Sequence, residues 1–100
     1  MVWHKFHAKP TTIDNIRFGS RKEANYYQQL LLAQKSGDLL FHLRQVPFHL
    51  QSGVVYRCDF VEFWKSGEVR FVETKGFKTR EYINKKKQVE VEYPIQIIEV

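Results

Sequence analysis

A small α/β domain, with a mixed β-sheet flanked by helices in the order α-β-β-β-α-β, is the fold this chain predicts. Three observations carry that expectation. The segments "VVYRCDFVEFW" and "EVRFVETK" are rich in β-branched and aromatic residues, and only "KSG" separates them, as in two strands joined by a turn. The segments "SRKEANYYQQLLLAQKSGD" and "TREYINKKKQVEVEY" each begin on a hydroxyl residue suited to capping a helix. The 100 residues suffice for one domain with a modest core, and they contain no repeat, low-complexity tract or linker.

Residues 1–19 read as irregular, with "KPTT" as a loop. Ser20 then suits a helix N-cap, and Glu23 three residues later completes a capping-box pattern. Ala24, Tyr27, Leu30, Leu31 and Gln34 fall on one helical face, and Gly37 suits a C-terminal stop. This predicts a helix over about residues 21–36. The segment "LLFHLRQVPFHL" predicts an extended stretch with Pro47 at a sheet edge or a bulge. Two strands follow, around "KSG". Thr79 then opens a second helix, Pro94 ends it, and "IQIIEV" closes the chain as a short strand. Tyr26, Tyr27, Phe41, Phe48, Phe60 and Phe71 are expected in the core.

The hairpin raises a question of register. Side chains alternate faces along a strand, so Glu73 and Lys75 share a face. A two-residue turn at Ser66-Gly67 would point Asp59 away from Glu73. A three-residue loop, Lys65-Ser66-Gly67, pairs Trp64 with Glu68 and so sets Asp59 opposite Glu73 and Arg57 opposite Lys75. Such a loop favours a left-handed residue at its third position, and Gly67 stands there. Opposed side chains have Cβ atoms about 5 Å apart. Two carboxylates that close repel unless a cation lies between them, and hard Mg²⁺ suits oxygen ligands. Lys75 would then lie beside a metal-held water or a phosphate. The other reading is a cross-strand ion network in which Asp59 and Glu73 pair with Arg57 and Lys75.

Charge is unevenly distributed. The net formal charge is +5. Residues 1–22 carry Lys5, Lys9, Arg17, Arg21 and Lys22 against Asp14. Residues 75–87 carry Lys75, Lys78, Arg80, Lys85, Lys86 and Lys87 against Glu81, which leaves the rest of the chain acidic. Two basic segments around carboxylates fit a gripped polyanion, or simply a solvated charged surface. Within this set Arg21, Lys22, Lys86 and Lys87 are expected nearest the carboxylates, with Lys78 and Arg80 also facing the polyanion. Cys58 is the single cysteine, which excludes an internal disulfide and a CxxC metal site. No stretch is apolar enough to span a membrane or to act as a signal peptide, so the expected compartment is the cytoplasm. His4 and His7 are three apart, with no third metal ligand evident. His42 and His49 are isolated and fit structural or surface roles. Trp3, Phe6 and Trp64 suit either base stacking or packing.

"CDF" followed by "VETKG" resembles the signature of the PD-(D/E)XK nucleases: an acidic residue on one strand, then Glu-x-Lys at the end of the next. Here these are Asp59 and Glu73-Thr74-Lys75, with Cys58 where the family usually has proline. Phe18, Ser20, Glu23 and Ala24 match the family's first-helix pattern. The resemblance covers residues 18 to about 97 and extends to small phage-encoded nucleases related to the archaeal-type Holliday junction resolvases. It implies a restriction endonuclease-like core. It implies Mg²⁺, for which Mn²⁺ could substitute, held by Asp59, Glu73 and the Thr74 carbonyl. Glu23 would assist directly or through water, or act as a helix cap alone. It implies Lys75 in catalysis, products with 5′-phosphate ends, a polar residue such as Gln45 near the site, and a homodimer acting on branched DNA in a prokaryotic or phage-infected cell. Leu39, Leu40, Phe41 and Leu43 are apolar enough to contribute to a dimer interface. The other function classes that fit are a general DNA-nicking enzyme of the same fold, a non-catalytic nucleic-acid-binding module, and a partner subunit without DNA affinity.

Overall fold

The computed structural model describes residues 10–100. The expectations for Trp3, His4, Lys5, Phe6, His7 and Lys9 lie outside the described residues. The chain order is β1 (Thr11–Ile13), β2 (Ile16–Phe18), α1 (Arg21–Ser36), β3 (Leu39–His49), β4 (Val55–Trp64), β5 (Val69–Glu73), α2 (Arg80–Glu92) and β6 (Ile97–Glu99). From α1 onward this is the expected order. The sheet runs β3-β4-β5-β6, antiparallel except for the parallel β5–β6 pair. That parallel pair requires a crossover, which α2 supplies. Among the described residues no helix is long and apolar enough to cross a membrane.

The expectation of an irregular N-terminal segment is corrected from Thr11 onward. Thr11–Ile13 and Ile16–Phe18 form an antiparallel hairpin. Asp14 and Asn15 form its turn with φ of 54° and 63°, the paired left-handed conformation of a tight two-residue turn that Asp and Asn tolerate. Phe18 from this hairpin is fully buried, and its ring lies 4.9 Å from that of Tyr27 on α1.

Both helices start and stop as their caps dictate. Ser20 accepts from the Glu23 amide, and Gly37 closes α1 at φ 90°. The Thr79 hydroxyl accepts from the Tyr82 amide to start α2. The sheet carries a core on each face. On the α1 side Phe18, Ala24, Tyr27, Leu30, Leu39, Phe60 and Val72 pack together. On the α2 side Leu50, Tyr56, Cys58, Val61, Tyr82, Val89 and Ile97 do so. Phe41, expected in the core, is instead 47% exposed on the edge strand β3, stacked on Phe63 with centroids 4.3 Å apart. Pro47 lies on this edge strand, where a missing N–H is tolerated.

One acidic side chain in the sheet is structural. Glu62 is fully buried. It accepts from the Tyr26 hydroxyl at 2.6 Å and the Trp64 indole at 2.9 Å, and the Arg70 guanidinium stands 3.9 Å away. Every oxygen of this carboxylate is therefore engaged, as burial of a charge requires.

Candidate active site

The hairpin register is the one the loop chemistry predicts. Trp64 and Glu68 face each other across Lys65-Ser66-Gly67, joined by the Trp64 amide to the Glu68 carbonyl at 2.9 Å, and Gly67 takes φ 94°. The ladder runs through Phe63↔Val69 to Phe60↔Val72, so its next step brings Asp59 to Glu73. β5 ends there, and Lys75 lies beyond the ladder rather than paired with Arg57.

A second local feature aims Asp59. Gln45, in β3 opposite Asp59, takes a left-handed φ of 51°. On either side of it the β3–β4 register is unchanged, but the faces exchange. His42 and Arg44 lie toward α1, contacting Gln34 and Glu23, whereas Val46 and Phe48 pack in the α2-side core. β4 does the same: Cys58 belongs to the α2-side core and Phe60 to the α1-side core, although regular alternation would place both on one face. The exchange turns Gln45 and Asp59 together toward α1. The Gln45 amide then donates to Glu23 at 2.9 Å and to Asp59 at 3.0 Å.

The result is a cleft of about 330 Å³ at the end of the sheet, lined by Gly19, Ser20, Lys22, Glu23, Asp59, Glu73, Thr74, Lys75, Gly76 and Phe77. Its three carboxylic side chains are all buried. Asp59 accepts from both the amide and the hydroxyl of Thr74, at 2.9 and 2.8 Å. Glu73 accepts from the Tyr56 hydroxyl, and its carboxyl lies within hydrogen-bonding reach of that of Asp59. Burial and the neighbouring Asp59 charge push the Glu73 carboxyl up to about 8, with Tyr56 and Lys75 opposing. Glu23 is raised by burial and by Asp59, against the opposing pull of Gln45, Arg44 and the Gly19 amide. Glu23 thus works both at the helix start, where its amide donates to the Ser20 hydroxyl at 3.1 Å, and at the cleft.

The cross-strand ion network is not formed. Among the described residues neither Asp59 nor Glu73 makes an ion pair. The Lys75 ammonium instead stands 4.9 Å over the Tyr82 ring. Two adjacent buried carboxyls without a cationic partner are a site to which a hard divalent ion would be drawn, and one or two carboxylates with water and phosphate are what Mg²⁺ ordinarily uses. The oxygens of Asp59 and Glu73 fit that donor set. No group of three carboxylate, histidine or cysteine side chains stands ready to hold a metal among the described residues, and the Gln45 amide donates to both Glu23 and Asp59.

The expected DNA-contacting cations are spread differently. Lys22 lines the cleft and donates to the Lys75 carbonyl at 3.1 Å. Lys78 pairs with Glu99 at 3.0 Å and Lys86 with Glu90 at 3.4 Å. Arg21, Arg80 and Lys87 are exposed and do not line it. The sequence reading missed Tyr56, Tyr82 and Arg57 as site residues. Tyr56 and Arg57 stand three and two places before Asp59, so the strand that supplies the carboxylate was the available signal.

A pH dependence follows from Glu73. Its folded pKa of about 8 lies above the ordinary 4.5, so the folded state holds a proton that the unfolded chain has released. In EDTA, stability is full below about pH 4.5 and falls as pH rises toward 8, by up to about 5 kcal/mol. Urea midpoints measured across that range should show the decline in wild type and a shallower one for Glu73→Gln, the remainder belonging to Glu23; an equal decline in both assigns it elsewhere.

No curated protein matches the chain. The family described as a protein of unknown function (DUF1064) matches residues 3–98, and the chain belongs to that family.

Proposed function

We propose that this protein is a Mg²⁺-dependent DNA endonuclease that cuts four-way junctions as a homodimer, with its chemistry at the Asp59–Glu73–Lys75 cleft. The observation that carries the reading is the convergence of two buried, unpaired carboxyls with the Lys75 ammonium in one open cleft. Together with Glu23 and the first-helix pattern, this is the arrangement by which the chain resembles the PD-(D/E)XK nucleases.

Asp59, Glu73 and the Thr74 carbonyl would hold the ion. When bound, Mg²⁺ supplies charge neutralisation at the phosphate and a lowered pKa for water. Thr74 fixes Asp59 through two donors, and Tyr56 fixes Glu73 through one. Lys75, which makes no ion pair among the described residues, would orient the attacking water or neutralise the pentacovalent transition state. Water oxygen bonds to phosphorus, the bond to the 3′ oxygen breaks, and that oxygen takes up a proton, leaving a 5′-phosphate end. Lys22 at the cleft and the exposed Arg21, Arg80 and Lys87 contribute phosphate contacts, which are sensitive to salt and carry little sequence information.

Symmetric junction cleavage needs two sites related by a twofold axis. The edge strand β3, with Leu40, Phe41 and Leu43 exposed, supports a second copy adding there. The reading places the protein with intracellular DNA, in the cytoplasm.

The test is incubation of the purified protein with a synthetic four-way junction and Mg²⁺. Paired symmetric nicks, and a solution mass of twice 12.0 kDa, are expected. Nicking of linear duplex at the same rate replaces the junction assignment with a general nicking enzyme. DNA binding that is indifferent to EDTA, without cleavage in Mg²⁺ or Mn²⁺, replaces it with a binding module.

A further inference from the structure

Behind the carboxylate cleft lies a second concavity of about 420 Å³, lined by Val55, Tyr56, Arg57, Glu73, Lys75, Thr79, Glu81, Tyr82 and Lys85. Glu73 and Lys75 line both, so the two lobes adjoin at the end of β5, one toward each helix. The lobes differ in charge. The α1-side lobe gathers the carboxyls of Glu23, Asp59 and Glu73 beside Lys22 and Lys75 and is the richer in acidic groups. The α2-side lobe sets Arg57, Lys75 and Lys85 against Glu73 and Glu81 and is net basic. An acidic lobe suits a cation and a basic lobe suits an anion.

The cations of the second lobe are free to serve. Arg57 is exposed and makes no ion pair among the described residues. The partner of Lys85 is Glu81 at 3.0 Å, a 78% exposed side chain on the same helix, and such surface pairs are weak enough to yield to a ligand. The phenols are committed: Tyr56 donates to Glu73, and Tyr82 donates to Glu99 at 2.7 Å while its ring carries Lys75. The floor is therefore fixed and the cations at the wall are movable. A volume of this size lies within the range of small-ligand pockets, and the planar guanidinium of Arg57 matches the oxygens of a phosphate.

We infer that the α2-side lobe is a phosphate-binding subsite, in which Arg57 and Lys85 grip the phosphate of a nucleotide adjacent to the one cut in the α1-side lobe. The inference rests on the nuclease reading for the identity of that phosphate. Lys75, common to both lobes, would set the spacing between the gripped and the reacting phosphate. Arg57 and Lys85 act in this way as positioning residues.

The test separates the two ideas. A 5′-phosphorylated thymidine dinucleotide is titrated into the protein in EDTA while the Tyr56 and Tyr82 ring signals and the Arg57 side-chain signal are followed by nuclear magnetic resonance. Those three signals are expected to shift. The dissociation constant should rise about tenfold or more in Arg57→Ala/Lys85→Ala, recover in part with Arg57→Lys, and stay unchanged in Lys35→Ala. Shifts confined to the Ser20–Glu23 side, or an affinity unmoved by the double variant, overturn the subsite. Junction cleavage in Mg²⁺ is scored separately. Cleavage without a phosphate response in this lobe removes the subsite and keeps the nuclease. A phosphate response without cleavage in Mg²⁺ or Mn²⁺ removes the nuclease and keeps the lobe as an anion site.

Discussion

Asp59→Asn should lower metal-dependent cleavage about 10³-fold or more and, in EDTA, make the protein more stable. The rate loss follows from removing one of the two carboxylates proposed to hold Mg²⁺; several kcal/mol of transition-state stabilisation is a factor of this size. The gain in stability follows from the pairing. Asp59 and Glu73 are buried together without an ion-pair partner, and their mutual repulsion is part of what raises Glu73. An amide at position 59 removes that repulsion and still accepts from Thr74, though the Gln45 amide loses its acceptor there, so the metal-free protein should gain about 1 kcal/mol above pH 8, where Glu73 would otherwise ionise beside Asp59. The two measurements are cleavage rate with Mg²⁺ and urea unfolding with EDTA. If Asp59 were half of a structural ion pair, the same variant would unfold more easily. A destabilised Asp59→Asn that retains cleavage therefore removes the proposed site.

Glu62→Ala should do the reverse, destabilising the protein by about 3–5 kcal/mol with or without metal. Glu62 is three residues from Asp59 and fully buried, but its surroundings are complementary. Tyr26 and Trp64 donate to it and Arg70 stands beside it. Truncation leaves a buried hydroxyl and an indole N–H unpaired and an arginine without its counter-charge, and it opens a cavity between α1 and the sheet. Burial, together with contact with Glu62, holds the Tyr26 phenol well above its ordinary value, so that hydroxyl remains a donor across the whole physiological range. The check is the denaturant midpoint. A loss below 1 kcal/mol would mean that the three donors find water instead. The contrast between these two acids is the sharpest separation of function from stability on β4.

Most of the fold was legible because it rests on local chemistry. Ser20, Gly37 and Thr79 bound the helices through their own side chains or a left-handed backbone, and Gly67 fixes the loop that sets the β4–β5 register. The N-terminal hairpin was also written locally, in Asp14-Asn15 between Ile13 and Ile16. Its three-residue strands are too short for alternation to be visible, so only the turn could have revealed it. Phe41 was misread because hydrophobicity alone does not tell a core strand from an edge strand, and the position of β3 at the sheet edge is a property of pairing across the chain.

The candidate site divides along the same line. The sequence by itself determined that Asp59 and Glu73 meet, since loop length and Gly67 fix the register. Only the tertiary structure decided which way Asp59 points, through the left-handed Gln45 opposite it and the exchange of faces in β3 and β4. It also brought Glu23 from α1, and Tyr56 and Arg57 from β4, to the two adjoining concavities that share Glu73. The physical reason is range. Caps and turns are settled by atoms within a few residues, whereas the direction of a buried carboxylate is settled by donors that arrive from distant parts of the chain.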